Sequence, residues 1–361
     1  MCRGRRRVYT TVMARNLKLG LNTGYWTSGP PYGAVEAIAA ADELGFDSIW
    51  TAEAYGSDAL TPLAWWGSAT RHVKLGTAIM QMSARRPTAT AMAALTMDHL
   101  SGGRFILGLG VSGPQVVEGW YGEPFAKPLA RTREYVRICR EAFARNRVTS
   151  DGPFYPLPLT EGKNVVGLGK ALKPTLHPVR EDIPIFLAAE GPKNIALTAE
   201  IADGWMALFY SPHHEAELYR PRLQEGFDRE GARRSWEDFE VMATVPVIVH
   251  DDVEAAADMI RPMYALYFGG MGAKGANFHH DVPVRMGYEA EMQTVQELYL
   301  DGKKDEAAAA IPLTLIEQLA LIGPEDKIRH DLEAWRDSVV TTLLIGGDAA
   351  MVRRVAEVVL G

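Results

Sequence analysis

Cysteine is almost missing from this 361-residue chain, with Cys2 and Cys139 the only two. Two thiols build neither a disulfide framework nor a thiolate zinc site, and they suit a reducing compartment. A cytoplasmic location is therefore expected. Long apolar runs are also lacking, since none approaches the ~20 residues that a membrane-spanning helix needs. Nor is there a surplus of basic charge. The 45 Asp and Glu outnumber the 38 Lys and Arg, for a formal charge of −7, whereas nucleic-acid binding needs a basic face. The expected partners are a small-molecule substrate and further copies of the chain, as a homodimer or higher homo-oligomer, with no nucleic acid and no membrane. What is present is a 47% hydrophobic, 23% charged composition, the balance of a globular protein with a sizeable core.

Residues 1–16 carry Arg3, Arg5, Arg6 and Arg7, like the start of a signal peptide. The following stretch is broken by Thr10, Thr11, Arg15, Asn16 and Lys18, so no apolar signal core follows. The reading is a flexible arm over 1–16, with Met13 as a possible start, before a single domain over 17–361. From Leu17 a short apolar run, a loop and a helical stretch recur. The expected strands are 17–21, 48–51, 74–80, 105–109, 184–188, 204–208, 241–249 and 341–345, with a helix near 214–229 after the sixth. Eight strand-helix units predict an α/β fold of the (β/α)8 TIM-barrel type. Two stretches exceed the repeat, near 147–181 and 263–312, and read as insertions that cover a site or meet another copy.

Gly108, Gly110 and Gly113 spell GxGxxG after an expected strand. A dinucleotide-binding turn needs a helix to start there, and Pro114 to Pro124 promise none at once, so these glycines read as a strand end where backbone approaches closely. Lys274 precedes Gly275 without the spacing of a phosphate-binding P-loop. His279, His280 and Asp281 are sequence neighbours, which rarely converge on a metal, and no metal site is expected. The chain also lacks GxSxG and any cysteine with an evident histidine partner, so nucleophilic hydrolysis has no signature.

More informative is the run Ala188, Ala189, Glu190, Gly191, Pro192, Lys193 and Asn194, where a strand ends and proline opens a helix. Free amides at that N-terminus, together with Lys193, make an anion site; an ordinary turn with a surface lysine is the other reading. Glu53 closes the second expected strand beside Tyr55, placed for the barrel mouth or for a helix cap. Trp26, Trp65, Trp66, Trp120 and Tyr121 offer flat surface to a planar cofactor or to the core.

Five segments together resemble the luciferase-like monooxygenase superfamily, in its coenzyme F420-dependent oxidoreductase branch, across nearly everything from Leu17 onward. They are Ser48-Ile-Trp-Thr-Ala-Glu-Ala-Tyr55, Leu75-Gly-Thr-Ala-Ile79, Arg104-Phe-Ile-Leu-Gly-Leu-Gly110, Ala188-Ala-Glu-Gly-Pro-Lys193 and Ile201-Ala-Asp-Gly-Trp205. The resemblance implies a bacterial-luciferase-like barrel with the deazaflavin at the C-terminal mouth of its strands. It implies a non-prolyl cis peptide at Ala78 and Ile79 behind the ring, with Gln81 as a polar contact. It places Val111, Ser112 and Gly113 along the cofactor and assigns the turn from Glu190 to Asn194 to its phosphate.

Two positions depart from the family pattern. The acid-histidine pair that ends the second strand in alcohol-oxidising members is matched by Glu53 and Ala54, and Gly113 stands where some members carry a glutamate. The expected activity is hydride transfer between F420 and a small organic substrate, with Glu53 orienting the ring or shuttling a proton and Tyr55 donating one. An FMN-dependent monooxygenase is the alternative within the fold. A non-catalytic F420-binding barrel is the alternative of another class.

Overall fold

The computed structural model describes residues 17–180, 182–272, 275 and 277–360. The arm expected over 1–16, Met13 included, lies outside them. Eleven strands form: β1 Lys18–Asn22, β2 Ser48–Thr51, β3 Lys74–Thr77, β4 Met80–Gln81, β5 Phe105–Gly110, β6 Ile185–Ala188, β7 Gly204–Ala207, β8 Glu240–Thr244, β9 Val247–Val249, β10 Leu321–Gly323 and β11 Thr342–Ile345. The parallel order β3-β2-β1-β11-β8-β7-β6-β5 is closed by pairing of β3 with β5, and β4 carries the β3 stave onward along β5. This is the eight-stave barrel that the repeat predicts.

Alternation along each stave sorts side chains between two cores. Inside the barrel, Trp50, Ile106, Phe186, Met206, Met242 and Leu344 form one packed layer, each from a different strand. The remaining two staves contribute glycine. A Cβ at Gly20 or Gly76 would press on Trp50, so those two absent side chains make room for the indole, which lies 5.9 Å from the Phe186 ring. Ala78, Ile79 and Ala188 rest on this layer. They form a small, apolar floor to the mouth.

The glycine motif on β5 serves packing. A Cβ at Gly108 would run into the Thr77 carbonyl, and one at Gly110 would meet Ile79 at 2.8 Å, so their absence lets the interrupted β3–β4 stave lie against β5. Thr77 ties the contact: its Oγ1 donates to the Gly108 carbonyl (2.7 Å) and accepts from the Gly108 N–H (3.0 Å). A helix, Pro114–Gly119, does begin directly after Gly113, contrary to the sequence reading. It is six residues long and follows a barrel stave, so the chain has no dinucleotide-binding turn of the Rossmann type here.

Three other expectations change in detail. The single strand expected at 241–249 is two, because Pro246 has no N–H to donate and the chain leaves the barrel there. β9 then pairs with β10 outside the barrel, where the sequence reading had no strand. The helix expected near 214–229 is compound: a 3-10 turn Pro212–His214, a π turn Glu215–Tyr219 and an α-helix Arg220–Phe227.

The first insertion is irregular, and the buried Glu134 carboxylate fixes its start. That carboxylate accepts from Ser150 Oγ and from the N–H groups of Phe154 and Tyr155. The second insertion extends the helix Val253–Ala265 through a π turn, Leu266–Gly270, and then runs into the helices Asp281–Arg285, Glu289–Leu300 and Lys304–Ala309.

Candidate active site

The C-terminal ends of the staves gather the sequence-predicted residues around the floor of Ala78, Ile79 and Ala188. The peptide between Ala78 and Ile79 is cis, as the resemblance implies. Its surroundings come from the neighbouring stave: the Ala78 N–H donates to the Thr51 carbonyl (2.7 Å) and the Glu53 N–H to the Ile79 carbonyl (3.1 Å).

β2 ends at Thr51, and just beyond it the Glu53 side chain meets the start of the next stave. Its carboxylate, 3% exposed, accepts two contacts from Arg85 Nη1 at 2.8 and 3.0 Å and one from the Gln81 N–H at 2.8 Å. Gln81 Nε2 donates back to the Glu53 carbonyl at 3.2 Å. Glu53 is therefore half of a buried ion pair that ties the end of β2 to the break between β3 and β4; the sequence reading expects it to orient the ring or shuttle a proton. Arg85 is its missed partner. The available signal was the end of the 83–86 run, Ser-Ala-Arg-Arg, on the adjacent stave. Tyr55 is 66% exposed. Gln81 Oε1 is buried and has no hydrogen-bond partner among the described residues, so it keeps an acceptor free.

After β5, Ser112 takes a left-handed conformation (φ 59°) and Gly113 caps the short helix. Val111 lines an open cleft that is also bordered by Ser83, Arg85, Arg86, Phe125 and Tyr155.

After β6, Ala188 lies on the floor and Ala189 faces the outer core, where its carbonyl accepts from Trp205 Nε1 at 2.8 Å. Glu190 returns to the mouth side. The helix Pro192–Ile201 then begins without any side-chain cap. The Asn194 and Ile195 N–H groups turn back to the Gly191 carbonyl (2.9 and 3.0 Å), while the Lys193 N–H has no backbone acceptor among the described residues. Space beside Gly191 is open, because a Cβ there would meet nothing within 4 Å. An uncapped helix start with open approach and an exposed lysine fits an anion.

The second insertion folds back onto this turn. His279 Nδ1 is 2.7 Å from Glu190 Oε1, and Arg285 Nη2 donates to the Glu190 carbonyl at 2.9 Å. His280 turns elsewhere, its Nδ1 3.3 Å from the Phe268 carbonyl. The three neighbours considered as metal ligands thus diverge, and His279 was missed as a partner of Glu190 because 89 residues separate them.

Residues 17–342 match the family model of the luciferase-like monooxygenases. The chain belongs to that family. Within it, the chain is 57% identical over 96% of its length, and all of the relative's, to a Mycobacterium tuberculosis protein named "Putative coenzyme F420-dependent oxidoreductase". It is 30% identical to the 5,10-methylenetetrahydromethanopterin reductase of Archaeoglobus fulgidus, covering 86% of this chain and 87% of that one. Among solved structures, the coenzyme F420-dependent tetrahydromethanopterin reductase of Methanopyrus kandleri superposes with a TM-score of 0.74 at 21% identity, over 96% of this chain and 98% of that chain. The family's barrel is therefore the fold of this chain.

Proposed function

We propose that this protein is an F420-dependent oxidoreductase that transfers a hydride between the deazaflavin and a small organic substrate. The observation that carries the reading is the mouth itself: a floor of Ala78, Ile79 and Ala188 flat enough for a planar ring, flanked by the uncapped start of the helix Pro192–Ile201. The 57% identity to a relative named for this cofactor supports it. When bound, F420 supplies the hydride from C5 of its ring. The protein's part is placement. Ala78 and Ile79 would back the ring, Gln81 Oε1 would accept from its polar edge, and Val111, Ser112 and Gly113 would border it. Gly191, Pro192, Lys193 and Asn194 would hold the phosphate by amide and ammonium donors. Glu53 supports the floor through Arg85 and Gln81.

Parallel titration with F420 and with FMN, read by quenching of cofactor fluorescence, tests the reading. Saturable F420 binding with turnover of reduced F420 is expected; turnover only with reduced FMN and oxygen would establish the monooxygenase alternative, and F420 binding without turnover the non-catalytic one. Lys193→Ala is expected to weaken F420 binding about 5–10-fold through the lost ammonium at the helix start. Unchanged affinity would move the phosphate elsewhere.

No described helix is long and apolar enough to cross a membrane. We read the protein as cytoplasmic and as a homodimer or higher homo-oligomer. The exposure of Val166 and Leu168, each 84%, on the first insertion supports contact with a second copy. Light scattering on the purified chain tests this.

A further inference from the structure

The geometry points to Glu190 and His279 as a carboxylate–imidazole pair in which His279 exchanges the proton that accompanies hydride transfer and Glu190 positions it. This rests on the F420 reading above. Ala54 stands where the resemblance puts the histidine of alcohol-oxidising members, so that position supplies no proton donor. Glu190 stands two residues beyond the floor residue Ala188. Its Oε1 lies 2.7 Å from His279 Nδ1, which places the proton of that nitrogen between them and leaves Nε2 to exchange. Its Oε2 is buried and has no hydrogen-bond partner among the described residues. A buried carboxylate oxygen left so is costly, and a ligand hydroxyl or N–H would satisfy it.

The imidazole is also held across the mouth. Tyr267 and Phe209 contact it edge-on, at 5.0 and 5.9 Å between ring centres. Tyr25, from the loop after β1, lies beside Tyr267. β1 and β6 are four staves apart in a ring of eight, so the series Tyr25, Tyr267, His279, Glu190 spans the opening above the floor. Burial first, then the Tyr25 contact and the Glu190 charge, pushes the Tyr267 phenol well up, so it stays protonated and neutral.

In the reducing direction, the substrate's polarised double bond gains a C–H bond from the hydride that reduced F420 supplies, and its π pair moves to the heteroatom. The bond from that atom to hydrogen forms as the Nε2–H bond of the His279 imidazolium breaks, which leaves the neutral ring with its proton on Nδ1 toward Glu190. Solvent returns a proton to His279, matching the one that leaves the cofactor as it becomes oxidised. Two electrons and two protons reach the substrate, and oxidation runs the same steps backwards.

The test follows oxidation of reduced F420 with acetone, benzaldehyde or 2-cyclohexenone as acceptor, beside F420 affinity from fluorescence. For the acceptor that wild type turns over, His279→Gln is expected to lower kcat at least 100-fold with F420 affinity within twofold. Free imidazole is expected to restore activity to His279→Ala, which a packing role would not allow. Glu190→Gln is expected to lower kcat about 10-fold at constant KM. Unchanged kcat in His279→Gln, no rescue by imidazole, or no turnover of any acceptor by wild type overturns the assignment. Loss of F420 binding in His279→Gln would make it a cofactor anchor and overturn it too; failure of wild type to bind F420 defeats the cofactor reading itself.

Discussion

Arg85→Ala is expected to destabilise the protein by about 3–5 kcal/mol, because it leaves the Glu53 charge buried with one N–H donor from Gln81. For a chain of this size that is a fall in Tm of about 4–6 °C. F420 affinity is expected to fall with it, since Glu53 and Gln81 hold the break that presents Ala78 and Ile79. The matching test is the double variant Glu53→Gln with Arg85→Met, which removes both charges. It is expected to be more stable than Arg85→Ala alone, showing a favourable coupling in a double-mutant cycle read by urea denaturation. Strict additivity would mean that the pair does not stabilise this part of the barrel.

The contrast between Arg85 and the floor shows what a sequence discloses. Each stave is four to six residues of largely apolar character followed by a helix, so period and length alone identify seven staves and their order. The eighth reading overran because Val241 to Val249 remain apolar straight through Pro246, and only the missing N–H at that proline marks the exit. β10 has three residues between helices, too few for any period to appear. The turn at Gly191-Pro192-Lys193 was legible because proline and glycine dictate local backbone. Pairings across the mouth were not. Glu53 meets Arg85 over 32 residues and Glu190 meets His279 over 89, and only closure of the barrel and folding back of the insertion decide those distances.

The same limit applies to Asp203, which entered as part of the Ile201-Ala-Asp-Gly-Trp205 segment and whose physical role appears only in three dimensions. It lies just before β7, at the end of the barrel opposite the mouth, where residues serve stability. Its carboxylate is 5% exposed and accepts from Arg140 Nη2 (2.5 Å), Arg233 Nε (2.7 Å), Arg234 Nε (2.8 Å) and the Ile185 N–H (2.8 Å). Burial pushes the carboxyl pKa up, but the Arg140 charge, the Ile185 N–H and Arg233 outweigh it and hold the net value below the usual aspartate range. A folded-state pKa below the unfolded one contributes stability that is fully present above the unfolded value and is lost as pH falls through the folded one. Asp203→Asn removes the buried charge and leaves Arg140, Arg233 and Arg234 to share the more exposed Asp182, with Arg140 only 17% exposed. The expected cost at pH 7 is about 3 kcal/mol, near the lower end for breaking a buried pair because Arg233 and Arg234 reach solvent. In urea denaturation the gap between wild type and variant is expected to narrow below about pH 4, as the wild-type carboxylate protonates. A gap that stays constant from pH 7 to pH 3 would show that Asp203 acts through its shape and its Ile185 contact, and that its charge contributes nothing to holding β6 and β7 together.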